Sequence, residues 1–138
     1  MAFTWPVRVY WEDTDAGGIV FYANYLKFFE RARTEWLRAL GHGQQQLRER
    51  TGGMFVVTNA ELRYLRPARL DDELLVTAQV QTCSRASLTV AQQALLPAAT
   101  PGNAPTLLCE ARIRIGWVDG DTLRPARLPN TLLEQLSP

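Results

Sequence analysis

Three carboxylates and two glycines lie close together near the start of the chain, in the run EDTDAGG from Glu12 to Gly18. A carboxylate such as Asp13 or Asp15 can attack an acyl carbon as a nucleophile or activate a water molecule as a general base. Gly17 and Gly18 allow the backbone to approach a ligand closely. These residue types suit hydrolysis of an activated acyl compound. Asp and Gly are also ordinary turn residues, so Asp15 could instead shape the turn or cap a helix.

The stretch after this acidic run predicts a long helix. Residues 22–40 contain neither Pro nor Gly, and their apolar members recur at the spacing of one wide helical stripe, made of Tyr22, Leu26, Phe29, Ala32, Trp36 and Leu40. Gly41 stands where a residue of left-handed conformation ends a helix. Unpaired N–H groups at the start of this helix, around Tyr22, could bind a developing oxyanion. We therefore expect an acidic turn that leads into a helix with one apolar face.

Five strand patterns surround the predicted helix. Residues 5–11 alternate, with Val7, Val9 and Trp11 on one side, and four longer strands are expected over residues 55–65, 74–82, 87–96 and 106–118. Consecutive strands after a single long helix predict an α+β fold in which an antiparallel meander carries the helix on one face. One helix cannot cover both faces of five strands. We therefore also expect the other face or an edge strand to meet a second subunit.

Composition narrows the class of protein. The chain has 138 residues, of which 46% are hydrophobic, and we expect one domain over residues 1–138. A net charge of +1 gives no bulk electrostatic drive toward nucleic acid. No apolar run approaches the roughly 18 residues that a membrane span needs, and the first residues lack the pattern of a secretory signal. We expect a cytoplasmic protein in which Cys83 and Cys109 are free thiols.

The usual nucleophilic and metal-binding motifs are missing from the sequence. The one histidine, His42, follows the predicted helix, and no serine lies in a G-x-S-x-G motif. Cys83 and Cys109 lie on strand patterns with no obvious base nearby. No His/Cys cluster has metal-ligand spacing, and neither glycine-rich phosphate loop is present. We therefore expect no metal and no bound cofactor, which leaves the acidic turn as the candidate site.

Two stretches resemble a known family. RVYWEDTDAGGIVFYANYLKFFERARTEWL, residues 8–37, is similar to the signature of the hotdog-fold acyl-CoA thioesterases related to 4-hydroxybenzoyl-CoA thioesterase, and is closest to the branch associated with the Tol–Pal system. RYLRPARLDD, residues 63–72, is also typical of that branch. The resemblance covers most of the chain. It implies a hotdog fold, in which a long central helix packs on a five-stranded antiparallel sheet, and an acyl-CoA thioesterase that releases free acid and coenzyme A without a cofactor.

The resemblance also implies roles for residues of the acidic turn. The second Asp of the motif is the catalytic carboxylate of the family, which here is Asp15. The N–H at the helix start polarises the thioester carbonyl, which points to Tyr22, while Gly17 and Gly18 shape the loop. Many members of the Tol–Pal branch have His at the position of Tyr22, so any role of that His side chain is lost here.

Further sites implied by the resemblance involve CoA and a second chain. The family holds the CoA phosphates with basic residues near the turn after the third strand, where Arg85 is the best match, and Arg66 and Arg69 are alternatives. Family sites form between two subunits whose sheets pack edge to edge, in dimers that assemble into a homotetramer. Thr58 and Asn59, on the long strand after the helix, are therefore candidate contributions from the partner chain, although polar groups satisfied within a sheet are the more ordinary interpretation.

Two rival functions stay open at this point. A hotdog hydratase or dehydratase acting on acyl-CoA or acyl carrier protein usually pairs a His with a carboxylate, and the lone His42 counts against it. A non-enzymatic acyl-CoA or acyl carrier protein binding protein, or an envelope-associated scaffold, would bind without releasing thiol. The sequence also leaves open the acyl group, the acyl carrier, and whether Asp15 acts as a nucleophile or a general base.

Overall fold

The computed structural model describes residues 2–138, and over that range it contains five strands and three α-helices. In chain order the elements are β1 (Phe3–Arg8), α1 (Asn24–Ala39), α2 (Gln44–Thr51), β2 (Gly53–Tyr64), β3 (Glu73–Cys83), β4 (Ser87–Leu96), β5 (Thr106–Asp119) and α3 (Asn130–Leu136). The predicted α+β class and the predicted order of elements are confirmed. Between residues 2 and 138, no helix is long and apolar enough to cross a membrane.

All five strands form one antiparallel sheet in the order β1-β3-β4-β5-β2. The three strands β3, β4 and β5 form a meander, but β2 pairs with β5 and not with its neighbour in sequence, β3. The expected meander of four strands is therefore wrong. Residues 65–72 instead carry the chain across the end of the sheet. This crossing passes the start of α1, where Val20 N–H donates to Ala68 O at 2.9 Å.

Helix α1 packs one face on the sheet. Its buried residues are Tyr25, Phe28, Phe29, Ala32, Arg33, Trp36 and Leu37. Tyr22 and Leu26, which the predicted stripe places on the apolar face, are 62% and 44% exposed. Tyr22 precedes the first helical residue, and Leu26 lies about 100° around the helix from the buried Tyr25. The apolar face is therefore centred on the aromatic residues of the helix and not on Leu26.

The C-terminal end of α1 follows the prediction. Gly41 has φ of +91°, the left-handed conformation that glycine adopts without steric cost. Its N–H donates to Arg38 O at 3.0 Å, and His42 N–H donates to Leu37 O at 2.8 Å. This pair of bonds is the Schellman motif that satisfies the last carbonyls of a helix.

A buried polar pair joins α1 to the sheet. Arg33 Nη1 donates to Gln92 Oε1 at 2.9 Å, and Gln92 Nε2 donates to Phe29 O at 3.0 Å and to Thr77 O at 3.1 Å. Burial lowers the pKa of the Arg33 guanidinium below its ordinary value. Because each of these contacts has a defined direction, the pair fixes the position of α1 over β3 and β4 more narrowly than apolar packing alone.

One edge of the sheet is long and open. β2 has 12 residues and pairs with β5 along one side only. The register shifts between Val57 and Asn59, which places Thr58 in a bulge, and Val57 is 53% exposed. A long edge strand presents unpaired N–H and C=O groups to any second chain that can add to the sheet.

Candidate active site

The acidic run folds into a small hairpin between β1 and α1. Asp15 N–H donates to Ile19 O at 2.9 Å, and Phe21 N–H donates to Asp13 O at 3.0 Å. Gly18, at the tip, has φ of +78°, where a residue with a Cβ would be strained. The hairpin therefore holds Asp15 close to the chain segment that leads into the helix.

A short 3-10 turn, Trp11–Asp13, precedes the hairpin and corrects one prediction. The alternating pattern of the first strand places Trp11 on the buried side with Val7 and Val9, but β1 ends at Arg8 and Trp11 is 83% exposed. The chain turns here because Asp13 Oδ2 accepts the N–H of Tyr10 at 2.8 Å.

The two aspartates of the motif have opposite environments. Asp13 is only 5% exposed, and its carboxylate accepts the hydrogen bond from Tyr10 N–H that holds the turn. Asp15 is exposed, and its Oδ1 accepts Gly17 N–H at 2.8 Å. A Cβ at Gly17 would lie 3.2 Å from that oxygen, so the glycine permits the close approach. Asp15 Oδ2 accepts no hydrogen bond from residues 2–138, which leaves it open to a water or a substrate.

The backbone around Tyr22 offers a donor to a ligand. Asn24 N–H donates to Phe21 O at 2.8 Å, and the hydroxyl of Tyr64 donates to Tyr22 O at 3.0 Å. Within the described part of the chain, the N–H of Tyr22 itself donates to no other residue. An open N–H beside the positive end of a helix is a binding position for a partial negative charge.

An apolar pocket of about 270 Å³ opens beside Tyr22. Its wall is aromatic: the ring of Tyr64 lies 6.0 Å from that of Tyr22 and 5.7 Å from that of Tyr25, between ring centres. Burial raises the pKa of Tyr25 to about 12 and also raises the pKa of Tyr64. The hydroxyls of Tyr25 and Tyr64 are therefore neutral near pH 7, and the pocket suits an apolar or aromatic group.

Two residues of this region were not predicted as site residues. Tyr64 stands in the RYLRPARLDD stretch and Asn24 follows the acidic turn, so both were part of recognised patterns. Asn24 Nδ2 donates to Asp13 O at 2.8 Å, which ties the hairpin to the first turn of α1. Only the folded chain shows these contacts, because the hydroxyl of Tyr64 meets a residue 42 positions away in sequence.

Arg85 lies far from the acidic hairpin within one chain. It is exposed in the turn between β3 and β4, whereas the hairpin follows β1, whose last residue Arg8 pairs with Glu73 at the start of β3. β3 has 11 residues and is roughly 33 Å long, so the two features lie at opposite ends of the sheet. Of the alternative basic residues, Arg66 lines the pocket beside Tyr22, and Arg69 pairs with Ile19 of the hairpin.

Thr58 and Asn59 lie in the middle of the open edge strand. Both are exposed, and Thr58 Oγ1 donates to Arg114 O at 3.3 Å, which is a contact within the sheet. The acidic hairpin is not among the contacts of either residue. Any part that they take in a site would therefore need a second chain at this edge.

The other reactive side chains lie away from the hairpin. His42 contacts Gln135 and, at 3.0 Å, Arg50 Nη2, beyond the C-terminal end of α1. That helix has 16 residues and is roughly 24 Å long. Burial raises the pKa of Cys109 to about 12, so its thiol stays protonated near pH 7. Among the described residues, no group of three or more His, Cys, Asp or Glu could hold a metal ion.

The arrangement of a helix on a five-stranded antiparallel sheet is that of the hotdog-fold thioesterases. The chain belongs to the thioesterase-like superfamily, because the family model with that description matches residues 9–136. The predicted family is therefore confirmed.

Curated relatives agree with this membership. The acyl-CoA thioester hydrolase YbgC of Escherichia coli is 42% identical over 135 residues, which cover 96% of this chain and 94% of the relative. The acyl-CoA thioesterase YbgC of Haemophilus influenzae is 40% identical over 127 residues, which cover 92% of this chain and 88% of the relative. The name YbgC agrees with the predicted Tol–Pal-associated branch.

Solved structures confirm the predicted hotdog fold. A probable thioesterase from Bartonella henselae matches with a TM-score of 0.82 and 31% identity, over 94% of this chain and 100% of that chain. The 1,4-dihydroxy-2-naphthoyl-CoA thioesterase Slr0204 from Synechocystis matches with a TM-score of 0.82 over 96% of this chain and 93% of that chain. The latter is only 21% identical, so it supports the fold alone.

Proposed function

We propose that the chain hydrolyses acyl-CoA thioesters to a free acid and coenzyme A, with Asp15 as the catalytic carboxylate. The observation that carries the proposal is the hairpin, which exposes the Asp15 carboxylate and leads directly to the open N–H of Tyr22. The relatives named acyl-CoA thioester hydrolase and acyl-CoA thioesterase support the substrate class. No bound cofactor or metal takes part in the proposed reaction.

The proposed mechanism uses the two polar features of the hairpin together. The thioester oxygen accepts a hydrogen bond from Tyr22 N–H, and the positive end of α1 stabilises the negative charge that grows on that oxygen. Gly17 and Gly18 keep the loop narrow enough for the thioester to reach both groups. The acyl group occupies the aromatic pocket beside Tyr22, where apolar surface is removed from water.

Two routes lead from this complex to products. In the first, Asp15 removes a proton from a water molecule that attacks the carbonyl carbon, and the tetrahedral intermediate collapses to the acid and the CoA thiolate. In the second, Asp15 attacks directly, the thiolate leaves, and water hydrolyses the resulting anhydride. Turnover in oxygen-18 water tests the second route, because water that attacks the Asp15 carbonyl of the anhydride leaves the heavy isotope in the Asp15 carboxylate, whereas the first route never does.

The proposed active form contains at least two chains. Two copies pair antiparallel through the open edge of β2, where Thr58 and Asn59 meet the partner chain. A two-fold axis at this edge places the hairpin end of one copy on the side of the partner's Arg85, which we assign to the CoA phosphates. Dimers then associate into tetramers through the outer sheet face, which carries a polar groove of about 540 Å³.

We place the protein in the cytoplasm, where thiols stay reduced. Cys83 and Cys109 are both free in the structure, which supports this location. CoA is the proposed acyl carrier, and acyl carrier protein is the alternative.

A thiol-release assay tests the proposal directly. Purified protein is incubated with short, long and aromatic acyl-CoA substrates and with an acyl carrier protein ester, and free thiol is measured against a blank without protein and a blank without substrate. The proposal expects thiol release from at least one acyl-CoA. Tight binding without thiol release would instead favour a binding or scaffold protein, and a hydrated product still attached to CoA would favour a hydratase.

A further inference from the structure

We propose that Tyr64 is a positioning residue for the amide that polarises the thioester carbonyl. Tyr64 is the last residue of β2, and its hydroxyl donates a 3.0 Å hydrogen bond to Tyr22 O. This bond connects the edge strand of the sheet to the turn that begins α1. The inference rests on the proposed function, since it concerns how the same site is held in order.

The backbone on both sides of Tyr22 is held by hydrogen bonds. The peptide plane that contains Tyr22 N–H also contains Phe21 O, which accepts Asn24 N–H at 2.8 Å. The next peptide plane contains Tyr22 O, which accepts the hydroxyl of Tyr64. With both planes held, the direction of the open N–H is set before a substrate arrives. A donor that is already aimed at the developing oxyanion stabilises it without a reorganisation cost during the reaction.

Tyr64 is itself held in the sheet by the pairing of β2 with β5. Tyr64 pairs with Cys109 of β5, and the next residue, Leu65, donates its N–H to Leu108 O at 2.8 Å. The Tyr64 ring meets the ring of Tyr22 at 87°, edge to face. Burial raises the pKa of the Tyr64 hydroxyl, so it stays a donor through the neutral pH range.

The turn does not depend on Tyr64 for its existence. Val20 N–H donates to Ala68 O, and Asn24 Nδ2 donates to Asp13 O at 2.8 Å. Removal of the Tyr64 hydroxyl alone therefore leaves the hairpin attached to the sheet and to the helix. The expected consequence is a less fixed Tyr22 amide in a folded protein, which affects the chemical step and not substrate binding.

Tyr64→Phe tests this consequence, because it removes the hydroxyl and keeps the ring. We expect kcat to fall roughly three- to tenfold, which corresponds to one neutral hydrogen bond, while KM and the melting temperature stay close to the wild-type values. Tyr10→Phe is the matched control, since Tyr10 is 62% exposed and lies outside the pocket, and it should retain the wild-type kcat. Unchanged kcat in Tyr64→Phe, or a loss seen only in KM or in melting temperature, would overturn the inference.

A spectroscopic measurement gives a second, independent readout. In an Asp15→Asn background, which slows turnover, an acyl-CoA labelled with carbon-13 at the thioester carbonyl is bound, and its infrared stretch, recorded before it is hydrolysed, reports how strongly the carbonyl is polarised. We expect the bound carbonyl to absorb at lower frequency than the free ester, and Tyr64→Phe to reverse part of that shift. An identical frequency with and without the hydroxyl contradicts the role of Tyr64.

The two proposals can fail separately. A wild-type protein that releases no thiol from any acyl-CoA overturns the proposed function and the role of Tyr64 with it. An active wild-type protein whose Tyr64→Phe variant is equally active overturns the role of Tyr64 alone.

Discussion

Asp13 and Asp15 give the sharpest test of the proposed chemistry, because they are two residues apart and have opposite environments. Asp15→Asn retains an Oδ1 that can accept Gly17 N–H but removes the charge from an exposed side chain. Asp13→Asn retains an acceptor for Tyr10 N–H but removes the charge from a residue that is 5% exposed. The two variants therefore test separately the charge that the proposed catalysis needs, on Asp15, and the charge that holds the turn, on Asp13.

The magnitudes expected for the two variants differ in kind. A positioned acid or base contributes about 10²–10⁴-fold to a rate, so Asp15→Asn should lower kcat by about that factor without a change in stability. In Asp13→Asn a charge-assisted hydrogen bond becomes a neutral one, which costs about 1 kcal/mol. For a chain of 138 residues this loss lowers the melting temperature by about 3 °C. The kcat of folded Asp13→Asn should stay within about twofold of the wild type.

Thiol release gives kcat for both variants, and thermal unfolding followed by circular dichroism gives their stability. Calorimetric titration with CoA checks that Asp15→Asn still binds the product. The reasoning would be refuted if Asp15→Asn turned over at a near-normal rate, or if Asp13→Asn lost activity while keeping the wild-type melting temperature. The second result would move the catalytic role to the buried aspartate.

Three further outcomes follow from contacts and burial elsewhere in the chain. Gln92→Leu leaves the buried Arg33 guanidinium and two backbone carbonyls without their partner, and should lower the free energy of unfolding by about 2–4 kcal/mol in a urea titration. Burial raises the pKa of Cys109 from 9.0 to about 12, so above pH 9 the unfolded chain loses a proton that the native chain keeps. The contribution of Cys109 to stability should therefore be complete below pH 9 and fall between pH 9 and 12. Melting curves of Cys109→Ala should show a shallower fall in that window. Arg85→Ala should raise KM for an acyl-CoA roughly 10- to 100-fold, as expected for one charged contact. It should leave KM unchanged for the matching acyl-pantetheine, which lacks the nucleotide phosphates. Equal effects on both substrates would contradict a phosphate contact.

Local sequence signals predicted the elements well. The strand over residues 87–96 is confirmed at both ends, because it stands between a polar turn and a loop rich in Pro and Gly. Gly41 is confirmed as the residue that ends α1, since a left-handed position at a helix end strongly favours glycine. These features depend on residues a few positions apart, which a sequence pattern records directly.

Contacts between distant residues could not be predicted in the same way. Alternation shows which face of β2 is apolar, but not whether β3 or β5 lies beside it. The burial of Arg33 depends on Gln92, a partner 59 positions away, so an apolar stripe cannot anticipate a charged residue in the core. The exposure of Trp11 depends on the bond from Tyr10 N–H to Asp13, which turns the chain after β1 has ended three residues before the predicted end of the strand.

In the candidate site too, residues close together in the sequence were predicted together, whereas the position of a distant residue was not predicted. Asp15 and Tyr22 are seven positions apart, on one hairpin and directly after it, and the sequence predicted them together. Arg85 was also identified from the sequence, but the fold puts it beyond the far end of β3, a strand that is roughly 33 Å long. A sequence pattern can identify a site residue without showing which copy of the chain contributes it to the site. If Arg85 binds the phosphates of a substrate whose thioester lies at Asp15, the two residues must come from different copies of the chain. A two-fold axis that pairs two β2 edges antiparallel would bring the hairpin end of one copy to the Arg85 end of the other. Dimerisation would then be a requirement of substrate binding as well as a means of covering an exposed strand.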